Sequence, residues 1–143
     1  MREIKFRGKR VDNGAWAYGS FHYEEVECEK QSFRDGANNH YFGIDIIPVI
    51  EVDDDSSSER LNNYQVDPAT VGQFTGLYDK KNKEIYEGDI VNFFNSDVLL
   101  IKDCDKHARF LIGGDLLTAG AAVDSEVIGN IHEHPHLLDQ PHA

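Results

Sequence analysis

Cysteine is scarce: the chain holds only Cys28 and Cys104, with no Cys-x-x-Cys spacing. Neither a disulfide framework nor a thiolate zinc knuckle is expected, and both thiols read as reduced bystanders. Long apolar runs are missing as well. Nothing approaches the roughly 18 consecutive apolar residues of a membrane span, and the opening Met1-Arg2-Glu3-Ile4-Lys5 lacks the apolar stretch of a signal peptide. The expectation is a cytosolic protein that engages no membrane. Basic residues are few, 14 Lys and Arg against 26 Asp and Glu. The resulting net charge of -12 argues against general nucleic-acid affinity, which depends on neutralising phosphates. Helical periodicity is confined to Leu116–Ala122, where Gly120 and the short length allow a turn or two. No phosphate-binding glycine spacing and no catalytic triad can be read, so no cofactor and no enzymatic activity are expected.

What the chain has is alternation. Its 143 residues suit one compact domain, with or without a small subdomain. Ile4 and Phe6 point one way and Glu3, Lys5, Arg7 and Lys9 the other, the period of a half-buried strand. Asp12-Asn13-Gly14 supplies a turn, and Trp16 and Tyr18 resume the alternation as a hairpin partner. The large apolar positions then shift parity to Phe21 and Tyr23, as a bulge at Gly19-Ser20 would require. From Cys28 to His40 no period survives, and Gly36, Asn38 and Asn39 read as loop. Tyr41–Val52 is β-branched and aromatic with an internal Pro48, the marks of an edge strand. The acidic, serine-rich segment 51–63 reads as a solvated linker. Beyond it, short strands separated by turns suggest a small barrel over 64–138, followed by a disordered tail at 139–143. The N-terminal hairpin and edge strand then occupy 1–50.

The run Phe74-Thr75-Gly76-Leu77-Tyr78-Asp79-Lys80, continued by Lys83-Glu84-Ile85-Tyr86-Glu87-Gly88-Asp89-Ile90-Val91, closely resembles the central signature of the YopX family of phage and prophage proteins. The Arg2–Arg10 opening, the return Trp16-Ala17-Tyr18-Gly19 and the closing Glu126-Val127-Ile128-Gly129-Asn130-Ile131 agree with it. The resemblance implies a mainly β fold, an N-terminal hairpin arm and a C-terminal barrel of the Src-homology-3-like type. Gly76, Tyr86, Gly88, Asp89 and Gly129 are then its structural signature. It brings a phage or prophage context in a bacterial host and, the family being of unknown function, no catalytic residue. Two departures stand out: the turn reads Lys81-Asn82-Lys83 where the family has Lys-Asn-Gly, and the ending reads His132-Glu133-His134-Pro135-His136.

Three functional readings follow. Five basic residues against Glu3 give residues 1–10 a local +4, which leaves -16 on the remainder. That polarity is self-complementary and suggests a non-enzymatic accessory protein that forms homo-oligomers and binds a host or phage protein. Lys5, Arg7, Lys9, Trp16 and Tyr18 are the binding candidates on this reading. The same five residues could instead form an aromatic, cationic surface for single-stranded nucleic acid. Thirdly, His132, His134 and His136 on an extended chain could carry a metal and a hydrolytic reaction, with Asp53-Asp54-Asp55 a weaker hard-cation candidate.

Overall fold

The computed structural model describes residues 4–34, 37–52, 62–104 and 109–139. The chain is mainly β, in two antiparallel sheets. The first contains β1 (Phe6–Lys9), β2 (Trp16–Arg34), β3 (Ala37–Val52), β4 (Asn62–Gln65), β5 (Gly72–Tyr78) and β6 (Glu84–Tyr86), in the order β4-β3-β2-β1-β5-β6. The second contains β7 (Asp89–Phe93), β8 (Asp97–Cys104), β9 (Arg109–Ile112), β10 (Asp115–Leu116) and β11 (Ser125–Asn130), in the order β10-β9-β8-β7-β11. One short helix, α1 (Ala119–Val123), starts where the Thr118 side chain accepts the Ala121 N–H and so caps it.

Among the described residues no ladder closes these strands into the expected barrel. β6 has only three residues, and the chain reverses at Gly88, whose φ of +92° is open to glycine and strained for a side chain. The ladder therefore stops, and packing joins the sheets instead. Ile85 and Leu77 of the first sheet lie against Val91, Ile101, Phe110 and Ile112 of the second, with Leu117 and Ala122 covering one end. Two backbone hydrogen bonds, Lys80 N–H to the Ser125 carbonyl and Gly88 N–H to the Ile101 carbonyl, both 2.9 Å, stitch the junction. The turn that lacks glycine is wide and puts Asn82 at a φ of +62°, a conformation asparagine tolerates better than most residues.

The N-terminal half departs further from expectation. Within the stretch from Cys28 to His40, read as loop, residues 28–34 and 37–40 are strand: β2 and β3 pair continuously from Ser20↔Glu51 out to Arg34↔Ala37. The backbone ladder holds here although the sequence carries no clean period. The Gly19-Ser20 bulge is also absent, because the ladders of β2 run without a register shift on both sides. Ala17, Gly19 and Phe21 share one face of β2, on which Ala17 and Phe21 join Phe6, Ile50 and Val66 in a second core. Trp16 and Tyr18 lie on the opposite face. The parity change therefore marks a strand that packs on both sides. Pro48 sits where β3 changes character: Val49–Glu51 pair with β4 on one side and β2 on the other, whereas in the described ladders 37–47 have β2 alone. Most of the acidic linker, with Asp53, Asp54 and Asp55, lies outside the described residues.

Candidate functional site

The β1–β2 ladder sets Arg7 opposite Tyr18 and Lys9 opposite Trp16 on one face, so the charged row of β1 and the aromatic row of β2 stand side by side. The turn at Gly88 delivers Asp89 beneath them. An Arg7 Nη2 atom lies 2.7 Å from Asp89 Oδ1, and both residues are buried, at 6% and 1% exposure. Asp89 Oδ2 accepts the Tyr86 N–H at 2.8 Å. The Arg7 guanidinium is flanked by the rings of Trp16 at 4.6 Å and Tyr86 at 5.0 Å, which shield the pair from water. Burial pushes the Asp89 carboxyl above its ordinary value, and Arg7 opposes that shift. Burial likewise raises the Tyr18 hydroxyl.

At the rim, Trp16 Nε1 donates to Glu133 Oε1, and Lys9 Nζ lies 3.5 Å from the same oxygen. Desolvation pushes Glu133 up, yet the Trp16 and Lys9 contacts outweigh it and leave the carboxylate below its usual range. Lys5 is paired with Glu84 at 2.5 Å and Arg10 with Asp12 at 2.6 Å. The basic opening is thus turned inward: each of its described cations meets a carboxylate of the same chain. A cleft of about 270 Å³ remains beside the cluster, lined by Arg7, Tyr18, Lys83, Asn130 and His134 among others.

The C-terminal histidines are brought near this cluster but not to one another's service. Asn130 Oδ1 accepts the His132 and Glu133 N–H groups at 3.1 and 2.9 Å, so the chain turns where the metal reading needs it extended. The His132 ring packs 6.1 Å from Trp16, and its pKa is lowered by burial and then by Arg7 and Lys9. His134 Nδ1 faces the Asn130 N–H at 3.3 Å, and His136 lies 6.3 Å from His134. Among the described residues no three His, Cys, Asp or Glu side chains converge as a metal would require. Gly129 is needed here for space, since a Cβ would stand 2.8 Å from His134 Nδ1. Gly76 serves its turn with a φ of +84°.

A second surface is absent from the sequence reading. From Tyr23↔Pro48 outward to Arg34↔Ala37, β2 and β3 form a two-stranded arm that extends about 40 Å at strand rise. The arm continues the face that buries Phe21 and Ile50 at its base. Beyond them that face carries Tyr23, Ile46, Ile44 and Phe42, at 61%, 66%, 60% and 81% exposure. Directly across from Ile46, Ile44 and Phe42 stand Glu25, Glu27 and Glu29. An apolar row thus runs beside an acidic row.

A family model described as YopX protein matches residues 5–139. The chain belongs to the YopX family. A search of curated proteins finds no match to it. Among solved structures this YopX-family chain is similar to protein EF1440 from Enterococcus faecalis, at 20% identity over 96% of this chain and 99% of that one, with a TM-score of 0.49. No helix among the described residues is long and apolar enough to cross a membrane.

Proposed function

We propose that this YopX-family chain is a non-enzymatic phage or prophage accessory protein that works in the cytoplasm by protein–protein contact, with the β2–β3 arm as its contact surface. The observation that carries this reading is the row Tyr23, Ile46, Ile44 and Phe42, exposed on a part of the β2–β3 pair that no third strand joins among the described residues. Contiguous exposed apolar side chains mark interaction sites on soluble domains. Partners of this kind include other copies of the chain, so homo-oligomers fall within the proposal. The basic opening is a weaker candidate surface, because Lys5, Arg7 and Lys9 are each held by a carboxylate.

Photo-crosslinking tests the proposal directly. A photoreactive residue at position 44 on the arm is compared in cells with one at position 114, which is exposed on the body. Adducts to protein from position 44 alone are expected. Equal adducts from both positions, or none from position 44, would overturn the assignment.

A further inference from the structure

The occupant of the arm can be narrowed by charge. Ile46, Ile44 and Phe42 follow one another at the two-residue repeat of β3, and the side chains paired with them across the ladder are Glu25, Glu27 and Glu29. Glu25 and Glu27 are exposed, and among the described residues neither has an ion-pair partner. A partner that covers the apolar row must therefore bring cations beside it, or it desolvates carboxylates without compensation. A second copy of the chain is poorly equipped for this. Among the cations whose side chains are described, Lys5, Lys9, Arg10, Lys80 and Lys81 are engaged with Glu84, Glu133, Asp12 and Glu126, Arg7 is buried against Asp89, and only Lys83, Lys102 and Arg109 are exposed without an ion pair, few beside the 26 acidic residues of the chain. Stacking two arms face to face also brings one acidic row towards another. An anionic lipid surface or a nucleic acid meets the same repulsion.

We infer that the exposed face of the β2–β3 arm binds a basic amphipathic segment of a different protein, one that lays a row of apolar side chains on Ile46, Ile44 and Phe42 and sets Lys or Arg against Glu25 and Glu27. This rests on the arm being a contact surface at all. The apolar row supplies contact area, and the acidic row selects the partner and fixes its register. Like charges set across such a seam are strongly disfavoured, which gives the face its discrimination.

Two labelled synthetic peptides test it on the 143-residue chain. Both carry the same row of isoleucines, flanked by lysines in one and by glutamates in the other, and binding is read by fluorescence anisotropy. The lysine peptide is expected to bind at least about tenfold more tightly. The preference should reverse in Glu25→Lys/Glu27→Lys, and binding should vanish in Ile44→Ser/Ile46→Ser; all variants are used at wild-type melting midpoints. Equal affinity for the two peptides, with binding still lost in the serine variant, overturns the charge assignment and leaves the arm as a contact surface. Lysine-peptide binding that survives the serine substitutions, and so reports only the acidic body, overturns the arm as well. A wild-type dimer by light scattering that the serine variant dissociates identifies a second copy as the occupant and also overturns the inference.

Discussion

The buried Arg7–Asp89 pair behaves unlike the other ion pairs of the chain because neither partner retains water. Removing one partner strands the other charge: Arg7→Met or Asp89→Leu should each cost about 3–5 kcal/mol, and the combined Arg7→Met/Asp89→Leu variant distinctly less than the sum. Urea unfolding of the three variants gives the coupling, and simple additivity would show that the charges do not depend on each other. Gly88 carries a separate demand. Its φ of +92° is closed to a β-branched side chain, so Gly88→Val should lose about 1–3 kcal/mol. Gly114→Ala is the matched control, with open space around its Cβ and no positive φ, and its melting midpoint should stay put. His132 gives a pH signature. Its pKa is lowered from 6.5, so between the folded value and 6.5 the unfolded chain binds more protons than the folded one. Stability should therefore fall as the pH drops through that window, and His132→Gln should flatten the slope. A proton NMR midpoint for His132 at or above 6.5 would contradict this account.

At the scale of elements, the arm is stable through its ladder and exposed through its side chains. Ile44→Ser should leave the melting midpoint nearly unchanged, whereas Ile50→Ala, on the same face of β3 but fully buried at the base, should cost about 2–5 kcal/mol. Equal losses would place Ile44 in a core. The contrast also shows what could be read from the sequence. The turns at Asp12–Gly14, Glu87–Asp89 and Gly113-Gly114, the short strands between Gly72 and Ile112 and the stub helix follow from local chemistry, because one buried face and glycine placement write a period directly. The β3 side of the arm was legible from the β-branched, aromatic run Tyr41–Val52, whereas the β2 side was hidden because its period is carried by charge: Glu25, Glu27 and Glu29 alternate with Val26 and Cys28. The aromatic and basic residues of the opening were legible as a cluster, but their acidic partners were not, since Glu84, Asp89 and Glu133 are brought to them only by tertiary packing.

Across the whole molecule, the +4 opening and the -16 remainder meet inside the folded chain. Replacing Lys5, Arg7 and Lys9 together with Glu sets a carboxylate against Glu84, Asp89 and Glu133 at once. The expected outcome is loss of the folded state, read by near-ultraviolet circular dichroism. A folded variant of reduced mass would return the opening to a role in assembly.

The same junction constrains how the chain can reach its structure. Arg7 contacts Glu87 across a separation of 80 residues, and Trp16 contacts Glu133 across 117. The first hairpin is therefore complete only when segments from the middle and far part of the chain have closed on it. Such long-range closure slows the approach to the transition state and couples both sheets to a single barrier. Refolding should be slow for a chain of this size, with tryptophan fluorescence, which reports Trp16, and far-ultraviolet ellipticity, which reports the strands, recovering at one common rate.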